Sequence, residues 1–260
     1  MIPSSFITAW RKNAPWIENS QVEQDLIIER SLVEIFNDPF LKEHLSFRGG
    51  TALHKFFMKP QPRYSEDIDL VQIKPEPIKE TIKHIQKQLD YFEKAETKQK
   101  ANNNTLIFRY TSESGLPLKL KVEINCREHY TLLFGYTDIK INVNNSWFTG
   151  EANIRTYKLE ELLGTKLRAL YQRKKGRDLF DLWFALKNQN PDCREIIQSW
   201  KFYMDQEGHS VTGKEFIRNV ENKLSDSDFT GDTNGILRPD ISYNPIEAYP
   251  FVHSKLLSLL

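Results

Sequence analysis

Asp67 and Asp69 stand one residue apart in an apolar run, within the segment SFRGGTALHKFFMKPQPRYSEDIDLV that covers residues 46–71. On a strand, side chains alternate with period two, so both carboxylates fall on one face and Ile68 goes to the opposite, buried one. Two like charges that close raise each other's pKa and repel unless something positive lies between them. A divalent cation meets that need, and oxygen-only ligands favour Mg²⁺ or Mn²⁺. Upstream, Gly49-Gly50 followed by Thr51 can place backbone N–H groups and a hydroxyl at a helix start, where a phosphate binds well. A phosphate cradle next to a paired-carboxylate metal site is equipment for phosphoryl or nucleotidyl transfer. Alone, an Asp-x-Asp is common by chance and a Gly-Gly is usually a turn. Their order and the strand-like ending give the combination its meaning.

Glu123 is the next candidate ligand. It sits mid-strand, on the face opposite Val122 and Ile124. If its strand lies beside the one at 68–73, three carboxylates converge on one edge of a sheet. Otherwise it is an exposed residue paired with Lys119 or Lys121 on its own face. Spacing leaves the two readings open. Lys166 is harder to explain as packing, because Leu162, Leu163 and Leu167 surround it. Its stem must be partly buried even if its ammonium reaches out. Such a lysine suits a point-charge contact to a triphosphate. Asp178 lies at a helix start, where an N-terminal cap is the plain alternative to a role in the site. Arg173, Lys174, Lys175 and Arg177 can hold phosphates of a nucleotide or of an RNA backbone, or simply end a soluble helix.

One near-motif is rejected. Residues 208–214 read GHSVTGK, all but the last position of a phosphate-binding P-loop. Glu215 stands where that motif needs Ser or Thr to hold Mg²⁺, and no apolar strand precedes it. The six His and two Cys form no zinc-ligand spacing, and there is no Gly-x-Ser-x-Gly nucleophile elbow.

The elements that position these residues follow from periodicity. Residues 1–19, with Pro3, Pro15 and two Trp, read as an irregular arm. Ser20 and Glu23 are spaced as a capping box. Val22, Leu26, Ile27, Val33 and Phe36 then recur at helical intervals to about residue 37. A short strand at 45–47 leads into Gly49-Gly50, and 51–58 is a helix ended by Pro60 and Pro62. The carboxylate strand continues through 68–73. A helix with Ile78, Ile82, Ile85, Leu89 and Phe92 on one side follows, its Lys-rich side a solvated face. A turn is expected at 102–104, then a hairpin of 105–110 with 116–125, bending near Gly115. One more strand is expected within 131–143. From Lys158 onward the pattern is helical, with segments at 159–170, 178–187, 194–204 and 213–224, a turn-rich tail, and a last apolar stretch at 251–260.

At 260 residues the chain can bury a substantial core. Charged residues make up 27% and hydrophobic ones 39%, an ordinary globular composition. A formal charge of +1 supplies no global steering toward nucleic acid, so an RNA-binding surface has to be a local basic patch. Cys126 and Cys193 are few and far apart, which fits a reducing compartment. The N-terminal segment lacks the continuous apolar core of a signal peptide, and no run approaches a membrane span. The expectation is a cytoplasmic protein with no membrane partner. The composition shifts near residue 155, the best place for a domain boundary.

Three runs together, FRGGTALHKFF, RYSEDIDL and KLEELLGTKLRALYQRKKGRDLFDLW, resemble the AbiEii/AbiGii nucleotidyltransferase toxins of bacteria. The resemblance covers about residues 20–190. It implies an α/β (α+β) fold: a minimal polymerase-beta-type nucleotidyltransferase domain with a mixed sheet at 1–155, and an all-helical domain at 156–260. It further implies that Gly49, Gly50 and Thr51 hold nucleotide phosphates, with Arg48 just before them and Arg177 nearby. Asp67 and Asp69 bind metal, and Glu123 is the third carboxylate that helps activate the attacking hydroxyl. Lys166 and Asp178 fall on the family's later lysine and Arg-Asp positions, the lysine at the triphosphate. Two departures stand out: Arg48 replaces a frequent Lys, and residues 191–260 carry no matching motif.

The function implied is a Mg²⁺- or Mn²⁺-dependent toxin that transfers NMP from an NTP to an acceptor hydroxyl. Family relatives suggest the 3′ end of tRNA as acceptor, which would block translation, and a cognate antitoxin from a neighbouring gene. Two alternatives stay open: the same fold acting on a protein or small molecule, and a catalytically silent nucleotide- or RNA-binding protein working through a partner.

Overall fold

Strand β2 (Asp67–Gln72) lies at the centre of the molecule, and its neighbours explain why. In this computed structural model, which describes residues 2–260 except 101, 102 and 134, β2 runs antiparallel to β1 (Leu45–Arg48) and parallel to β5 (Pro117–Asn125). β5 pairs antiparallel with β4 (Asn103–Thr111), and β4 with β3 (Glu96–Lys100). On the other side, β1 meets β7 (Thr149–Thr156) in parallel at Phe47 and Thr156, and β7 pairs antiparallel with β6 (Thr137–Asn144). The described residues thus form a seven-stranded mixed sheet in the order β3-β4-β5-β2-β1-β7-β6.

One face of the sheet is the core face. Ile68 and Leu70 of β2, Leu120, Val122 and Ile124 of β5, and Leu106 and Phe108 of β4 are all buried there. They share one cluster with helix α1 (Ser4–Trp10), helix α2 (Asn19–Asn37), helix α3 (Pro39–His44) and helix α5 (Lys79–Gln88). Helix α4 (Gly49–Phe57) follows β1 directly. Each buried aliphatic side chain contributes about 1.5–3 kcal/mol, so the alternation in β4 and β5 fixes their register strongly.

A second core forms beyond the sheet. Helices α6 (Leu159–Gln172), α7 (Gly176–Asn188), α8 (Cys193–Gln206), α9 (Gly213–Leu224), α10 (Ser227–Thr230) and α11 (Pro245–Lys255) build it around Leu163, Leu167, Leu179, Trp200 and Phe216. Leu53 and Met58, on and just after α4, and Val71 of β2 join this second core. It therefore grips the sheet at the face opposite Ile68. No helix among the described residues is long and apolar enough to cross a membrane.

Several expectations are corrected. The N-terminal arm is ordered: α1 and its flanks bury Ile2, Ile7, Trp10 and Trp16. Ser20 makes no capping box, since α2 starts one residue earlier with no side-chain cap and Glu23 instead accepts the Glu113 N–H. Of the turn expected at 102–104, residue 102 lies outside the described residues, while Asn103 and Asn104 already belong to β4. One strand was expected in 131–143; two are found, β6 and β7, and β3 is added beside β4. Glu215, which spoiled the P-loop match, forms a true capping box with Thr212 at the start of α9.

Candidate active site

The register of β2 against β5 decides what surrounds the paired carboxylates. Asp67 lies opposite Lys121, and Asp69 lies opposite Glu123. Both sequence readings of Glu123 therefore meet in space: it joins the carboxylates, and a lysine from its own face does too. Lys121 Nζ stands 3.4 Å from Asp67. Burial pushes Asp67 up to about 6, Lys121 opposes this, and Asp69, Glu66 and Glu123 add to it. Asp69 is also raised by burial, against Arg48, Lys166 and Arg173. Glu123 is raised by burial and then by Asp69. Three carboxylates thus sit where each makes the others harder to ionise.

The start of α4 closes over Asp69. Gly49 has φ +80°, and a Cβ there would collide with Asp69 Oδ2 and stand 2.7 Å from its Cγ. Only glycine permits that approach. A Cβ on Gly50 would lie 2.8 Å from Arg63 Nη2 and 3.5 Å from Lys166 Nζ. The backbone at the helix start is therefore flanked by two cations. Thr51 is placed differently from the sequence expectation. Its buried Oγ1 donates to the Asp67 carbonyl at 2.6 Å and lies 2.8 Å from Ser65 Oγ. The hydroxyl anchors the start of β2.

Lys166 and Asp178 are brought together, and an unexpected residue organises both. Lys166 Nζ is 3.2 Å from Asp178 Oδ1 and 2.9 Å from Asp181 Oδ2. Asp181 is fully buried and also takes Arg63 Nε at 2.7 Å, Arg63 Nη2 at 2.8 Å and His54 Nε2 at 3.0 Å. Burial alone would raise it, but Arg63, Lys166 and His54 hold it well below the usual carboxylate range. The signal was present: Asp181 follows Asp178 by one helical turn among Leu179, Phe180 and Leu182, where an acid needs a partner. Arg63 and His54 carried no motif that pointed to it. Asp178 is not a helix cap. It accepts Arg173 Nε at 2.7 Å and Nη2 at 2.8 Å, and those contacts with Lys166 hold its pKa down despite burial.

The remaining basic residues divide. The Arg173 side chain is half exposed, and its charge is felt at Asp69 and Glu123. Arg177 is engaged elsewhere, with Nε 2.9 Å and Nη2 3.1 Å from Asp232. Lys175 also reaches Asp232, and Lys174 pairs with Asp226. Arg48 pairs with Glu128, which is held in turn by Arg168 Nη2 at 3.1 Å. Arg48 is nonetheless the strongest of the cations that lower Asp69.

The donor set was tested for a metal ion. Among the described residues, no three His, Cys, Asp or Glu side chains close around one point. Mg²⁺ rarely asks for that, because it binds through one or two carboxylates plus substrate phosphates. Asp67 and Asp69 supply hard oxygens on one face, and burial with mutual repulsion gives them a demand for positive charge that Lys121 meets only in part. The residues fit an ion shared with a nucleotide.

Comparison with known proteins followed the same lines. A family model described as the nucleotidyl transferase AbiEii toxin of a type IV toxin–antitoxin system matches residues 30–249. Among solved structures, the chain is similar to MenT4, a nucleotidyltransferase toxin of Mycobacterium tuberculosis, with TM-score 0.67 and 16% identity over 100% of this chain and 91% of that one. JHP933 from Helicobacter pylori is similar with TM-score 0.57 and 18% identity, covering 93% and 95%. A candidate nucleotidyltransferase of H. pylori gives 0.58 and 19%, covering 94% and 99%. At these identities the likeness shows the fold. No curated protein sequence matches.

Proposed function

The chain belongs to the AbiEii family of nucleotidyltransferase toxins of type IV toxin–antitoxin systems, and from that premise we propose that it transfers NMP from an NTP to the 3′ end of tRNA and so blocks translation. The nucleotidyltransferase assignment and the mixed-sheet α+β fold agree with what the sequence resemblance implied. The observation that carries the reaction is the meeting of Asp67, Asp69 and Glu123 beside a glycine helix start flanked by Arg63 and Lys166.

In this reading the α4 start and Lys166 bind the triphosphate, with Arg173 over its exposed side. Asp67 and Asp69 hold Mg²⁺ (or Mn²⁺), which when bound polarises the α-phosphate and offsets charge on the leaving group. Glu123, its pKa raised toward neutrality by burial and Asp69, takes the proton of the acceptor hydroxyl. The acceptor oxygen bonds to the α-phosphorus as the bond to the β-phosphate oxygen breaks, and pyrophosphate leaves. Asp178 and Asp181 do not touch substrate; they fix Arg173 and Lys166. The carboxylates come from residues 1–155 and these cations from 156–260, so the site forms where the two proposed domains meet. The family's name implies an antitoxin partner, and we place the protein in the cytoplasm.

The test is incubation with Mg²⁺, total bacterial RNA and each labelled NTP in turn, with Asp69→Ala alongside. Label in a tRNA-sized band, lost in the variant, is the expected result. Label on protein instead of RNA would replace the acceptor, and no transfer of any kind with NTP binding intact would overturn the mechanism.

A further inference from the structure

Strand order separates the two sides of the reacting centre. β1, with the Gly49-Gly50 helix start, flanks β2 on one side, and β5 flanks it on the other. Phosphoryl transfer sets the attacking and leaving oxygens roughly in line across the phosphorus. With the triphosphate at the α4 start, the acceptor has to arrive over β5.

The outer face of β5 and β4 is built for that approach. Lys121 faces Asp67, Lys119 lies two residues back along the strand, and Arg109 is the cross-strand partner of Lys119. Two residues of strand span roughly 7 Å, comparable to one step of an extended polynucleotide. Lys119 and Arg109 then stand at the lip of a cavity of about 1010 Å³ between α2 and the β4–β5 hairpin. Rings make its walls, among them Tyr64, Tyr91, Phe92, Tyr110 and Trp147. Phe92 and Tyr110 have centroids 5.8 Å apart, and the Arg30 guanidinium lies 3.8 Å over Tyr91. Glu23, Glu66 and Glu93 share the walls with Arg30, so the interior offers a phosphate no net attraction. A planar base gains there, and its phosphates gain at the lip.

We propose that this cavity is the acceptor site, in which a nucleotide preceding the reacting 3′ end lays its phosphate on Lys119 and Arg109 and stacks its base among the rings. The assignment rests on RNA being the acceptor. It gives the nucleotide and the acceptor separate pockets, one on each side of the carboxylates.

The experiment uses whichever RNA the wild-type protein labels, carrying 4-thiouridine in its last positions. Photo-crosslinks, mapped by mass spectrometry, are expected on peptides that hold Tyr91, Phe92 or Tyr110. In parallel, a Lys119→Ala/Arg109→Ala variant removes the lip charge, and Gln21→Trp fills the cavity from the exposed start of α2. Both are expected to raise KM for RNA about tenfold or more while KM for the NTP stays unchanged. Crosslinks elsewhere, or an unchanged KM for RNA in both variants, overturn the proposal and leave RNA transfer standing. Wild-type labelling of protein with no label in RNA sinks the RNA reading and the cavity assignment together.

Discussion

Arg63 grips Asp181 with two hydrogen bonds, Nε to Oδ1 at 2.7 Å and Nη2 to Oδ2 at 2.8 Å, and both side chains are buried. The same carboxylate holds Lys166, so one acid sets both cations that flank Gly50. Asp181→Ala leaves Arg63 as an uncompensated buried charge, at a cost of about 3–5 kcal/mol. Chemical denaturation measures it. An Arg63→Met/Asp181→Leu double variant is expected to recover much of the loss, since it removes both charges at once. A double variant no more stable than Asp181→Ala would show that the charge pair is not the cause.

Gly49→Ala separates backbone strain from damage to the site. Gly49 and Gly115 both have positive φ, +80° and +81°. An alanine costs about 1–2 kcal/mol at either. At Gly115 nothing lies within 4 Å, whereas at Gly49 the new methyl displaces Asp69. The two variants should melt at similar temperatures, yet transfer should fall about a hundredfold or more only for Gly49→Ala, as expected for a displaced reacting group. Equal activities would remove Gly49 from the argument.

The contrast between local and non-local signals explains what the sequence revealed. Asp67 and Asp69 share a face because of period-two alternation, a property of three consecutive residues. Glu123 needed the pairing of β2 with β5, which alternation cannot supply, and spacing rightly left it open. Asp181 was hidden for a similar reason: its partners Arg63 and His54 sit in a loop and on α4, remote in sequence. β7 reads TGEANIRT, in which Ala152 and Ile154 are the buried apolar residues, too thin a pattern to announce a strand. The N-terminal arm misled through its two prolines, although Ile2, Ile7 and Trp10 were there to be buried.

Metal binding should be coupled to Asp67. Burial places its folded pKa at about 6, above the ordinary 3.8. The metal-free protein therefore favours the neutral acid, a contribution to stability that is complete below 3.8 and lost as pH rises through 6. A cation requires the ionised form. Mn²⁺ affinity, followed by calorimetry, should be steady above pH 6 and fall about tenfold per unit below it. Lys121→Met removes the opposing charge and should move the break upward. Affinity that is flat from pH 7 to 5 would mean that Asp67 does not bind the ion.

Acid stability should depend on His54. Its ring is fully buried against Asp181, and burial with the nearby Arg63 lowers its pKa to about 4 from 6.5. The folded state therefore keeps His54 neutral at pH values where the unfolded chain is protonated. The sign follows: its contribution is complete above 6.5 and drains as pH falls to 4, a loss of about 3 kcal/mol. His54→Gln keeps a donor toward Asp181 but cannot titrate. Its unfolding free energy, measured by urea denaturation at steps from pH 7 to 4, should decline less steeply than that of the wild type. If the two slopes coincide, the acid sensitivity comes from carboxylates such as Asp178 and Asp181, whose folded pKa values are depressed and which also lose their stabilising contribution as pH falls.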